Sequence, residues 1–209
     1  MMALHTILPT TASQIPARRV LAAKAMALGA IMVVLGCSAC KNPTPDVVDI
    51  EVYFVDWAMM MDGGGSYSDM AKPVVRRVPA SEDIAAVALR EVLKGPTPEE
   101  QELGFETAMP GDAMIRGRME GLAAYLEEHS IDDIPPRGRY THGAIELLSL
   151  RVENGTAYPD FSNEIHAYGG GSAASASISA QIVKTLKQFP EIDDVVISVE
   201  GRTRDVLQP

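Results

Sequence analysis

The sequence predicts an α+β domain: a single small sheet with two amphipathic helices packed on one face, in the order β-α-β-β-α-β. Two stretches, one after Ser81 and one after Ser172, repeat apolar residues at helical spacing. Other short stretches alternate apolar and polar residues, as half-buried strands do. Between two of these runs sits Asn154-Gly155, the dipeptide favoured in a tight turn with positive φ. Strands with one greasy face and helices with one apolar stripe bury both by stacking in layers.

Taken in order, "VVDIEVYFVD" opens the domain. Val48, Ile50, Val52 and Phe54 share a face, with Glu51 and Tyr53 between them. "DGGGSYSD", Asp62 to Asp69, is a loop. Ser81 caps the first helix, and Glu82 and Asp83 set negative charge at its positive end. Ala85, Ala88, Leu89 and Val92 form its stripe, and Gly95-Pro96 stops it. A further helical turn falls at "PEEQEL". Gly117 to Ala144 has the character of an insertion: "MEGLAAYLEEH" is a short helix with Leu122, Tyr125 and Leu126 on one side, and "SIDDIPPRGRYTHG" is loop. A hairpin follows, with Leu148, Leu150 and Val152 on one face and a return over Ala157 to Phe161. The second helix carries Ala174, Ile178, Ile182, Leu186 and Phe189 on one stripe and ends at Pro190. Val195, Ile197 and Val199 alternate in the last strand before Gly201.

The start of the chain is an address. Of 209 residues, the first 36 hold Arg18, Arg19 and Lys24 and no acid, followed by the apolar run Ala25–Gly36. That run is too short to span a bilayer, which takes about 20 residues, and has the layout of a secretory signal. "VLGC", Val34 to Cys37, resembles the lipobox of bacterial lipoproteins, which implies cleavage before Cys37 and lipidation of that residue. Gly36 is the small residue before the cut, and Leu35 stands where smaller residues are commoner. Residues 1–36 are then a lipoprotein signal peptide and 37–46 a lipidated cysteine with a proline-containing tether, "KNPTPD". The domain proper is 47–209. Cleavage before Cys40 is the alternative, and it leaves Cys37 where leucine usually stands.

The formal net charge is −10, and it becomes more negative once the basic leader is gone. Phosphate binding needs the opposite sign, so nucleic acid is excluded as a partner. "CSAC" spells a C-x-x-C, but an export core precedes it, a tether follows it, and no second cysteine pair exists for zinc. "AYGGGSAASASISAQ" has the glycines of a phosphate cradle without its lysine, and the preceding "SNEIHAY" is no buried strand. The glycines are a change of direction, with Ser172 or Ser175 capping the helix.

"EEHSIDD" gathers Glu127, Glu128, His129, Asp132 and Asp133, a set that could bind metal but suits a solvated helix end better. His129, His142 and His166 are scattered among polar residues and expected at the surface. "RGRY", Arg137 to Tyr140, is a basic spot that suits a solvated loop. No G-x-S-x-G elbow is present. The reading assigns no catalytic, cofactor-binding or metal residue.

From about Asp49 to Gly201 the chain resembles the GerMN domain of bacterial sporulation and germination lipoproteins. The matching words are "EVYFVD", "RRVPASEDIAAVALREVLKGPTPEEQELGFETAMPGD", "LRVENGTAYPDFS", "GGGS" before a helix and "QIVKTLKQFPEIDDVVISVEG". The resemblance implies a non-enzymatic module, lipid-anchored or envelope-associated, with a fold resembling the ring-building motifs of secretion-type assemblies. Residues 117–144 depart from the family by interrupting a short connection, and one copy is present where some members carry two.

The expectation is a lipoprotein on the extracytoplasmic side of a membrane. Its partners would be the membrane, through the N-terminal lipid, and envelope proteins or cell-wall material, with no nucleotide and no cofactor. Sporulation, germination and cell-wall assembly are the implied settings. The rivals are an envelope enzyme acting on wall polymer, with carboxylates converging in a cleft, and a small-solute-binding lipoprotein with a deep apolar pocket.

Overall fold

The computed structural model describes residues 46–56, 58–59, 66–131, 140–169 and 171–207. Pro43–Pro209 form one compact unit. Its class is α+β, as the sequence predicts, but its strands form two sheets.

In the first sheet, β1 (Val47–Asp56) runs antiparallel to β2 (Ala71–Pro79), from Val47 opposite Pro79 to Val55 opposite Ala71. The two-residue β3 (Phe105–Glu106) joins the other edge of β1 at Val55 and Asp56. In the second sheet, β4 (Leu147–Glu153) and β5 (Thr156–Phe161) make the hairpin, and β6 (Asp194–Val195) and β7 (Ser198–Val199) run parallel to β5. Parallel strands need a crossover. Here it is a 3-10 helix (Asn163–Ala167) followed by α4 (Gly171–Leu186).

The remaining helices are α1 (Ile84–Lys94), α2 (Pro98–Glu102) and α3 (Asp112–His129). Helices α1 and α4 pack against each other and against β1; α1 also touches β4, and α4 touches β6. Ile50, Val52 and Phe54 of β1 meet Leu89 and Val92 of α1, Ile178, Ile182 and Leu186 of α4, and Phe161 and Val199 of the second sheet in one core. The apolar stripes read from the sequence therefore face inward. Ala85 and Ala88 on α1, with Ser175, Ser177 and Ala180 on α4, are small and buried, which lets elements approach closely.

A single sheet does not form because β1's second edge is already occupied. Gln188 of the segment after α4 accepts the N–H of Glu51 and donates to its carbonyl, at 2.7 and 2.6 Å. Thr185 accepts the N–H of Tyr53, and Gln181 donates to the Tyr53 carbonyl. Three side chains one helical stripe apart thus stand in for a strand. They satisfy backbone groups that would otherwise be buried unpaired, which costs about 1–3 kcal/mol each.

Other local expectations also change. No strand is predicted between residues 57 and 80, yet β2 lies there. The single strand predicted over Val195–Val199 is two short ones. The predicted common face of Leu148, Leu150 and Val152 is broken by a bulge between Leu147 and Ser149: Leu147 and Leu150 pack on the core while Leu148 is exposed. Helix α3 begins at Asp112, ahead of the predicted insertion, and of its 18 residues only Ile115 is buried. Ser172 and Ser175 lie inside α4, with Ser175 donating to the Ser172 carbonyl, so neither caps it. The preceding Gly170 and residues 62–65 of the 62–69 loop lie outside the described residues.

The Asn154-Gly155 turn forms as expected, with φ of 50° and 78°. The Gly155 carbonyl accepts the N–H groups of Asp193 and Asp194, which ties the turn to the start of β6. A Cβ on Gly155 would stand 2.7 Å from Oδ2 of Asp193. Gly155→Ala is expected to lower stability by about 1–3 kcal/mol in urea unfolding, from left-handed strain plus crowding. Gly104→Ala shares the positive φ but meets nothing within 4 Å. It should lose about 1 kcal/mol, so equal losses in the two variants would show that the Asp193 contact is without consequence.

Candidate docking surface

Among the described residues, the groups that sequence reading singles out for chemistry do not converge. His129 is at the exposed end of α3, where its Nδ1 lies 2.9 Å from the Tyr125 carbonyl and its ring stacks on Tyr125. Glu127 and Glu128 are exposed beside it, and Asp132 and Asp133 lie outside the described residues. Arg137 of the "RGRY" spot also lies outside them. His166 is half-buried in the 3-10 helix, contrary to the surface position expected of it. Among the described residues no group of three or more histidines, cysteines or acids is placed to hold a metal ion. Cys37, the predicted lipidation site, lies outside the described residues.

Two buried ionic centres escaped the sequence analysis. Arg76 on β2 spends all five guanidinium donors: on both oxygens of the Glu100 carboxylate, on Glu91 Oε2, and on the carbonyls of Glu91 and Gly95. It thereby fastens the Gly95-Pro96 turn and α2 to the sheet. Glu100 also closes a capping box with Thr97. Hydrogen bonding from Arg76 holds the Glu100 carboxyl below its ordinary value, against burial.

The second centre is Glu164, whose side chain is 1% exposed. Its Oε1 accepts the N–H groups of Thr141 and His142 at 2.6 and 2.8 Å. Burial pushes this carboxyl up, but the Ser162 hydroxyl and the backbone donors outweigh it and hold it below its ordinary value. His142 Nδ1 lies 3.6 Å from Glu164 Oε2, and its Nε2 lies 3.8 Å from Glu146. Through Oε1 the carboxylate pins the chain before β4, while its buried Oε2 has no hydrogen-bond partner among the described residues.

What the surface offers is therefore sheet edge and shallow clefts, and its three long strand edges differ. Beyond its short pairing with β3, the edge of β1 opposite β2 is closed by α4 side chains as described. The outer edge of β2 is blunted. Glu51 and Tyr53 point their backbone groups away from β2, so their opposite numbers Val75 and Pro73 point theirs out of the sheet. Pro79, opposite Val47, shares that outward phase. Two of the outward positions thus lack an N–H, a common protection for edge strands.

The outer edge of β4 has no such protection. The carbonyls of Ala157 and Pro159 bond to Val196 N–H and the Ser198 hydroxyl, away from β4. Their partners Val152 and Leu150 therefore turn their N–H and C=O groups outward. Beside this edge a cleft of about 400 Å³ runs between Leu150 and Val152 on one wall and Glu82, Asp83 and the first turn of α1 on the other. A second, apolar groove of about 580 Å³ lies where Pro79 of β2 meets Pro96 and Pro98.

Residues 139–205 match the model of the Germane family, described as sporulation and spore germination. No curated protein matches the chain. Among solved structures, the chain is similar to the tandem GerMN domains of the sporulation protein GerM from Bacillus subtilis, at 21% identity and a TM-score of 0.47 over 76% of this chain. It spans 41% of that tandem structure. The first GerMN domain of the same protein gives 22% identity and a TM-score of 0.43, covering 75% of this chain and 85% of the other. A candidate lipoprotein from Clostridium perfringens gives 16% identity and 0.40, covering 78% and 80%.

Proposed function

We propose that this chain, whose residues 139–205 match the Germane family model, carries a GerMN-like domain and is a lipid-anchored docking module of a bacterial envelope, working by assembly and not by catalysis. The family description associates the domain with sporulation and spore germination. The observation that carries the docking reading is how the buried polar groups are used. Gln181, Thr185, Gln188, Arg76 and Glu164 all bind main chain, and so build a rigid platform. The β4 edge is left to a partner. The clefts are shallow and half-walled by strand edges, which suits a polypeptide better than a small solute.

The anchor is the other half of the proposal. A basic leader, a short apolar run and "VLGC" support cleavage before Cys37 and lipidation of that residue. A fatty-acid analogue fed to cells should label the wild-type protein, and Cys37→Ala should abolish the label and release the domain from the membrane fraction. Full labelling of the variant would move the site elsewhere. Hydrolysis of peptidoglycan by the purified domain would favour the envelope-enzyme reading.

A further inference from the structure

We infer that the outer edge of β4 receives an extended segment of a partner protein bearing lysine or arginine, added to the second sheet as a further strand. This rests on the docking reading above and names the site and the chemistry of its occupant.

The first ground is the contrast between edges. An unpaired strand edge is a template for another strand, and proteins ordinarily block it. This domain closes one long edge with Gln188, Thr185 and Gln181 and blunts a second with Pro73 and Pro79. The seven-residue β4 contains no proline, and among the described residues the outward groups of Leu150 and Val152 have no partner. Two of its apolar side chains, Leu148 and Val152, are 47% and 40% exposed.

The second ground is charge. A strand laid against β4 would project alternate side chains into the cleft between β4 and α1. That cleft carries Glu82, Asp83 and Glu191 against the single cation Arg90. Among the described residues none of these three acids forms an ion pair. Leu150 and Val152 line the same cleft. The lining fits a side chain with an apolar stem and a cationic head, which lysine and arginine provide. A second copy of this chain is a poor occupant, since it would bring another acidic surface against this one.

The probe is an acetylated, amidated eight-residue peptide of alternating valine and lysine, compared with the same peptide carrying glutamate for lysine. Amide chemical shifts of the domain are followed on titration. The lysine peptide should shift Leu150, Val152 and Ile84–Ala86, with binding at least about tenfold tighter than the glutamate peptide. Val152→Pro removes an outward donor without touching the β5 ladder and should weaken binding about tenfold. Should Val152→Pro fail to fold, Glu82→Lys with Glu191→Lys tests the same edge through its charge and should remove the preference for lysine. Shifts centred on β2, or equal affinity for both peptides, would overturn the inference. So would β4 shifts that appear on concentrating the domain alone, which would assign the edge to self-association. Photo-crosslinkers placed at Ser149 and, separately, at Val75 in intact cells keep the two levels distinct. Crosslinks from Val75 alone would leave docking standing and sink the β4 assignment, whereas none from either would count against docking itself.

Discussion

Arg76→Ala should lower the stability of the domain by about 3–5 kcal/mol, the largest loss expected from any single truncation here. The guanidinium is 10% exposed and sits between two carboxylates that are each 14% exposed, with the ring of Phe54 beneath it at 5.0 Å. Its removal leaves Glu91 and Glu100 facing each other across a vacated site and frees the Gly95 carbonyl. Arg76→Lys keeps the charge but cannot reproduce the five-donor fork, so it should recover only part of the loss. The decisive comparison is Arg76→Met combined with Glu91→Gln and Glu100→Gln. If most of the damage is uncompensated charge, the triple variant should be clearly more stable than Arg76→Ala in urea or guanidinium unfolding. A loss below about 1 kcal/mol for Arg76→Ala would place the centre with ordinary surface pairs. The exposed Asp49–Arg77 pair on the outer face of the same hairpin provides that reference.

The contrast between Arg76 and the helices shows what a single sequence reveals. Helices α1 and α4 and strand β1 were legible because their apolar residues recur at fixed intervals, and the Asn154-Gly155 turn because its φ values suit few other pairs. Strand β2 was hidden by the features that protect it. Pro73, Pro79 and the Arg76-Arg77 pair break the alternation and argue against a strand, yet the prolines fall where an edge strand tolerates them. The partners of Arg76 are 15 and 24 residues away, which no local pattern reports. The edge-closing stripe did leave a signal. Gln181 and Thr185 are uncharged polar residues one turn apart on α4, and Gln188 continues their spacing just past its end. A helix that buries a polar stripe must meet backbone groups with it, and that inference predicts two sheets where apolar periodicity predicts one. The β4 edge was half-visible, since the hairpin was clear while β4's outer side follows only from the pairing of β5 with β6 and β7.

Glu164 should make the domain's stability depend on acid in a way that a neutral variant does not. Its carboxyl is held below the ordinary glutamate value of 4.5 in the folded state. A group depressed by folding contributes stability that is fully present above its unfolded value and is lost as pH falls through its folded one. Wild type should therefore hold its stability from neutral pH down to about 4.5 and then lose this contribution. The groups facing Glu164 are the Thr141 and His142 N–H donors, the Ser162 hydroxyl and the His142 ring, with Glu146 beyond that ring. Glu164→Gln keeps an oxygen able to accept both N–H groups but cannot titrate. It should cost about 1–2 kcal/mol at pH 7, the difference between a charge-assisted and a neutral hydrogen bond. Glu164→Ala removes the acceptor shared by both N–H groups and should cost about 2–4 kcal/mol at the same pH. The wild-type advantage over Glu164→Gln should shrink steadily in unfolding experiments between pH 5 and pH 3. An advantage that stays constant over that range would mean that the carboxylate does not titrate with folding, and that Glu164 acts through shape alone. Exchange of the Thr141 and His142 amides gives an independent reading: both should become fast in Glu164→Ala and stay protected in Glu164→Gln, because both N–H groups bond to that one oxygen.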